Sequence, residues 1–218
     1  MIAIVDYGVG NLRSAAKGLE RAASDLGRAV DVRVTSARGD IERADAVVLP
    51  GVGAFGACMA SLSESGLTEP VLRSIEAGKP FLGICVGMQI LFDESSEFGP
   101  VRGLGVLPGR VVRFRSTGVK IPHMGWNAVT PRGAVPALAG IDDGTWFYFV
   151  HSYYAEPADP RHVAATAEYG GEEFTAAVAR DNVFATQFHP EKSQAAGLRL
   201  LANFVRTATA PARVAVTA

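Results

Sequence analysis

The residues best placed to do chemistry in this chain are a cysteine and a histidine–glutamate pair. Cys85 stands in the run Gly83-Ile84-Cys85-Val86-Gly87, after the apolar stretch Pro80-Phe81-Leu82 and before a segment with helical periodicity. This is the spacing of the G-x-S-x-G nucleophile elbow with sulfur in place of oxygen. The reactive residue sits on a tight strand-to-helix turn, so the positions two before and two after must be small. The turn puts Cys85 at the N-terminus of the next helix, where free N–H groups and the positive dipole end favour thiolate. Alone, the pattern fits an inert core cysteine as well as a nucleophile. His189 and Glu191, in Phe188-His189-Pro190-Glu191, lie two apart in extended chain and face one side, with Pro190 stiffening the pair. Glu191 can then orient the imidazole of His189 as the base of a thiol nucleophile. By itself the run would more commonly be a strand end with solvated charges; an elbow cysteine upstream favours the catalytic reading.

Such a reaction needs donors for a developing oxyanion. Pro50-Gly51-Val52-Gly53 follows the apolar strand-like run 44–49, and the N–H of Val52 or Gly53 with that of Val86 would make a two-donor hole. An ordinary glycine turn or a weak phosphate loop also fits these residues, although no G-x-x-x-x-G-K pattern accompanies them. The two glycines permit a peptide flip that would present or withdraw a donor. The second cysteine, Cys58, lies in an apolar helix-like stretch and reads as core filler.

Elements that must position these groups follow from periodicity. In the first half, short β-branched runs (2–6, 30–36, 44–50, 80–85) alternate with helix-like segments (11–27, 54–77, 86–94), which argues for βαβ units and a parallel sheet. From Gly105 the runs 105–115, 121–132, 144–157, 162–170, 173–181 and 183–191 read as successive strands, and 193–208 as a closing helix. The expected fold is α/β: a single domain over 1–206 with a mixed, largely parallel sheet flanked by helices, and a flexible tail over 207–218. At 218 residues and 48% apolar composition, one large core is expected. Acidic and basic residues nearly cancel (22 against 21) and are scattered, so no nucleic-acid stripe is present. No apolar run approaches the roughly 20 residues that span a bilayer, and the first residues lack the pattern of a signal peptide. The expectation is a cytoplasmic protein without membrane association, whose two cysteines stay thiols.

With these stretches in hand, the chain resembles the triad-type class-I glutamine amidotransferases up to about Arg206. The runs 50–56, 83–89 and 188–193 are similar to the family's oxyanion strand, nucleophile elbow and His-x-Glu segment, in the family's order. The resemblance implies Cys85 as nucleophile, His189 as base, Glu191 as its orienter, and no cofactor or metal. It implies glutamine contacts from Gly53, from Gln89, one helical turn after Cys85, and from His151, Ser152 and Tyr153. The runs 6–14, 121–127 and 148–157 narrow the likeness to glutaminase subunits that feed ammonia to a separate (β/α)₈ cyclase in histidine biosynthesis. Hydrolase chemistry is then expected here and lyase chemistry in the assembled heterodimer, with Asn11, Trp126 and Lys192 at the partner face. An amidotransferase subunit of another pathway, such as pyridoxal phosphate synthesis, and an inactive triad-bearing module are the competing readings.

Overall fold

The structure, a computed structural model, describes residues 1–210. In chain order its elements are β1 (Ile2–Val5), α1 (Leu12–Asp25), β2 (Val32–Thr35), α2 (Arg38–Arg43), β3 (Ala46–Gly51), α3 (Phe55–Glu64), α4 (Thr68–Glu76) and β4 (Phe81–Cys85). They continue with α5 (Val86–Gln89), β5 (Phe92–Ser95), β6 (Val101–Arg102), β7 (Leu107–Arg113), β8 (His123–Pro131), β9 (Thr145–His151) and β10 (Tyr153–Pro157). The chain then forms β11 (Val163–Tyr169), β12 (Glu172–Arg180), β13 (Val183–Thr186) and α6 (Gln194–Ala208).

The main sheet has the order β2-β1-β3-β4-β13-β12-β11-β8-β9. Pairing is parallel from β2 to β13 and antiparallel from β13 to β9. β1, β3 and β4 are buried at every position, as expected of parallel strands covered on both faces, which is why they read as unbroken apolar runs. α1 covers the sheet with Ala15, Leu19, Ala22 and Ala23, a stripe at helical spacing, and α6 does so with Leu200, Leu201, Phe204 and Val205. No helix among the described residues is long and apolar enough to cross a membrane.

Two expectations are corrected. Residues 86–94 do not form one helix: α5 is a single turn, and Phe92–Ser95 is a strand of a second sheet, β10-β7-β5-β6, that periodicity did not separate from the first. The run 144–157 is two strands, one in each sheet, joined at Ser152. The closing helix ends at Ala208, as its periodicity predicts, and 211–218 of the expected tail lies outside the described residues.

Candidate active site

Everything in the site hangs on the end of β4. Cys85 adopts φ 56°, a left-handed conformation that an L side chain enters only under constraint. The constraint is the close approach of the elbow to β3. A Cβ on Gly87 would lie 1.9 Å from the Leu49 main-chain oxygen, and one on Gly83 would lie 2.8 Å from that of Gly87. Both obstacles are backbone and cannot rotate aside. Gly87→Ala should therefore destabilise the fold by about 3 kcal/mol or more, and Gly83→Ala by less. Urea unfolding checks this, and equal small losses for both would contradict it.

His189 follows β13, the neighbour of β4, and its side chain is 1% exposed. Its Nδ1 lies 2.8 Å from Glu191 Oε1, and the Glu191 side chain is 2% exposed. The turn that carries them is stitched to β9. The His189 N–H donates to Tyr148 O, the Tyr148 N–H donates to Ser193 Oγ, and Ser193 Oγ–H donates back to His189 O. Gly197 lets α6 close on this turn, since a Cβ there would meet Pro190 O at 1.8 Å. Burial opposes charge on His189, but the neighbouring Cys85 sulfur and Glu191 carboxylate outweigh it and raise its pKa to about 10. His189 is thus an imidazolium at neutral pH. With α5 only one turn long, little of a helix macrodipole stands at the elbow, so the dipole expected from sequence is largely missing.

Cys85, Val86, His189, Val52, Gly53, Gln89, His151, Ser152, Tyr153 and Lys192 line one cavity of about 290 Å³. The elbow, oxyanion and glutamine-contact residues expected from sequence therefore converge. The corner at Ser152, where the chain leaves one sheet for the other, lines the same cavity. Of the three expected partner-face residues, two lie together. Trp126 is 42% exposed and packs edge-on to Tyr148, and Lys192 Nζ sits 5.6 Å from the centre of the same ring. Asn11 caps α1 without a side-chain cap bond and does not line the cavity.

Four residues of the site were given no part in it by the sequence reading. Gln187, fully buried two residues before His189, donates from Nε2 to Cys85 Sγ at 3.7 Å. Its Oε1 accepts from Gln89 Nε2, which also donates to Tyr153 O. With both protons of that amide engaged, Gln89 keeps Oε1 as a free acceptor at the cavity. Tyr7 donates from its hydroxyl to Pro50 O at 2.7 Å, and Cys58 from its thiol to Val52 O at 3.2 Å. Burial, the largest influence on each, raises both pKa values, which keeps both groups protonated donors. Cys58 is thus buried as expected, yet it also holds the Val52 carbonyl after β3. Ser193 is the fourth. Only Gln187 had a usable signal, a polar residue within an apolar strand end.

The class-I glutamine amidotransferase family matches residues 4–208. A protein of Methylococcus capsulatus described as imidazole glycerol phosphate synthase subunit HisH is 56% identical over 213 residues, covering 94% of this chain and 95% of that one. One of the same description from Syntrophotalea carbinolica is 53% identical over 210 residues, covering 94% and 98%. Among solved structures, a glutamine amidotransferase aligns with TM-score 0.72 at 21% identity over 96% of this chain and all of that one. A chain of PurLQS from Thermotoga maritima aligns with TM-score 0.71 at 20% identity, covering 94% and 97%. These two share the fold.

Proposed function

Because this chain belongs to the class-I glutamine amidotransferases, we propose that it is the glutaminase subunit of an imidazole glycerol phosphate synthase, working in the cytoplasm in histidine biosynthesis. It hydrolyses glutamine and passes ammonia to a cyclase subunit of (β/α)₈ fold, with which it forms a heterodimer. The lyase step of the synthase falls to that cyclase and not to this chain. The observation that carries the reading is the left-handed Cys85 on a tight elbow, sharing a cavity with His189, whose Nδ1 lies 2.8 Å from Glu191 Oε1.

The Cys85 thiolate attacks the glutamine carboxamide carbon, and the carbonyl electrons move to oxygen. The N–H of Val86 and that of Val52 or Gly53 stabilise this oxyanion; Val86, as the first residue of α5, has no helical carbonyl to bond. His189 protonates the departing nitrogen, which leaves as ammonia, and a γ-glutamyl thioester remains. The now neutral His189 takes a proton from water, whose oxygen attacks the thioester and releases glutamate, restoring the thiolate and imidazolium. The free Oε1 of Gln89 suits the α-ammonium of glutamine.

The partner surface is supported by the outward face of the β8–β9 pair. There Met124, Trp126 and Trp146 are exposed, 62, 42 and 57%, and the outward row ends at Val150 on the cavity rim. An apolar patch continuous with an active site fits a partner that receives its product. Tyr7 and Cys58 hold the carbonyls of Pro50 and Val52, and the Gly51–Val52 peptide between them, which carries the Val52 N–H, lies at the last β3–β4 pair, with Gly51 opposite Cys85. Turning that peptide would switch an oxyanion donor, worth a factor of about 10² to 10³ in rate. The test is glutamate release by the chain alone and with the cyclase and its nucleotide ligand, coupled to imidazole glycerol phosphate formation. Slow release alone and fast release in the liganded complex are expected. No glutamate under either condition would refute the reading, and an equally fast isolated chain would remove the switch.

A further inference from the structure

His123 and His151 stand directly opposite each other on β8 and β9, 3 and 6% exposed. Their rings meet at 3.0 Å between His123 Nδ1 and His151 Nε2. The direction of each proton in this contact is fixed from outside. His151 Nδ1 lies 2.9 Å from Tyr153 O, which can only accept, so Nδ1 carries the hydrogen and Nε2 is a lone pair. His123 Nδ1 must therefore be the donor between the rings, and His123 Nε2 in turn is an acceptor. Asn127 Nδ2 approaches that acceptor at 3.3 Å. The orientation of Asn127 is itself set by main chain: Nδ2 also donates to Glu168 O at 2.8 Å, and Oδ1 accepts from the Ala128 N–H at 2.8 Å. One proton arrangement satisfies all the groups. Burial keeps both rings neutral, with His123 pushed down to about 4 and His151 to about 3, so the arrangement persists at working pH.

On the reading of this cavity as a glutaminase site, we infer that His123 and Asn127 are positioning residues for the glutamine pocket, acting through the tautomer of His151 on the Tyr153 carbonyl and hence on Gln89. Tyr153 O takes two hydrogen bonds, from His151 and from Gln89. When His123 cannot donate, His151 is left with a buried, unpaired acceptor and its ring is free to turn over. The Tyr153 carbonyl then loses one of its two anchors, and Gln89 shifts with it. The consequence falls on glutamine binding more than on bond making, because Cys85 and His189 are held by other contacts.

A simpler role for His123 is aromatic filling, since its ring stacks on Tyr169 at 4.1 Å and on Phe149 at 5.0 Å between centroids. Two substitutions separate the roles. His123→Phe keeps the ring and removes the donor, whereas His123→Asn loses the ring and keeps an N–H near the place of Nδ1. Positioning predicts that His123→Phe raises KM for glutamine about tenfold, with kcat within about threefold of wild type, and that His123→Asn recovers most of the loss. Alkylation of Cys85 by iodoacetamide, which does not need the pocket, should stay within about twofold in His123→Phe. Filling predicts the reverse order of the two variants, and that order overturns the inference. Imidazole ¹H–¹⁵N spectra of the wild-type protein test it without activity and without a variant: both rings should be neutral with the hydrogen on Nδ1. An Nε2–H form of either ring overturns it. Should the wild-type protein release no glutamate with its cyclase while the spectra show the Nδ1–H pair, the glutaminase reading fails and the hydrogen-bond relay stands.

Discussion

Cys85→Ala should lower glutamine hydrolysis by a factor on the order of 10⁵ or more while leaving the protein folded. The loss is large because no other group can substitute. Among the described residues Cys58 is the only other thiol, and its sulfur is turned to Val52 O in the core. His189 retains Glu191, so the remaining groups of the proposed mechanism survive and should leave a small residual rate through direct attack by water. Removing the sulfur also removes one of the two neighbours that hold His189 at about 10, and its pKa should fall in the variant, readable by ¹³C or ¹⁵N titration of the ring. A second comparison isolates the elbow's strain. Alanine at φ 56° is as unfavourable as cysteine, but glycine is not. Cys85→Gly should thus be more stable than Cys85→Ala by about 1 kcal/mol in urea unfolding, though both are inactive. Glutamate release by Cys85→Ala near the wild-type rate would remove the thiol from the mechanism.

The elbow was legible because its requirement is steric and local. Small residues two before and two after a nucleophile leave a fixed spacing in sequence, and Gly83 and Gly87 are indeed where a Cβ would strike main chain. The pairing of His189 with Glu191 was legible from its spacing, although Pro190–Lys192 is a 3₁₀ turn and not the extended chain expected. Gln187, Tyr7, Cys58 and Ser193 act instead by side-chain hydrogen bonds to groups between 4 and 102 positions away along the chain. No periodicity announces such a bond. Tyr7 reaches Pro50 across 43 positions, and Gln187 reaches Cys85 across 102. The second sheet was hidden for another reason. A strand of four residues with two exposed, such as Phe92–Ser95, has the same apolar count as a helical turn, and only its pairing with Leu107–Arg113 settles it. The corner at Ser152 was hidden likewise, because His151 and Tyr153 each look like strand residues and only the sheets they join differ.

The second large effect is expected from Glu191→Gln, a change of one atom. It should cut kcat by about 10³ to 10⁴ with little change in KM for glutamine. In the wild-type protein His189 Nδ1–H donates to Glu191 Oε1, which fixes the proton on the ring face away from the reaction and leaves Nε2, itself without a protein hydrogen-bond partner, for the leaving nitrogen. Glutamine in this place has no charge to offset burial, so the imidazolium loses its main fixed support once the thiolate is consumed by attack. It also sets an amide NH₂ near the position of Glu191 Oε2, a buried atom without a partner; turned the other way, that NH₂ would face Nδ1 and force the ring hydrogen to Nε2. Stability should respond to pH with a definite sign. The folded pKa of His189, about 10, lies above the ordinary histidine value near 6.5, so its charge contributes fully to folding below about pH 6.5 and the contribution is lost as pH rises through about 10. In Glu191→Gln the folded value falls, so the variant should be less stable than wild type at about pH 6, and the gap should narrow as pH approaches 10. Urea unfolding of both proteins across that range decides the matter. A gap that stays constant with pH would mean that Glu191 supports the fold by packing and not by its charge on His189.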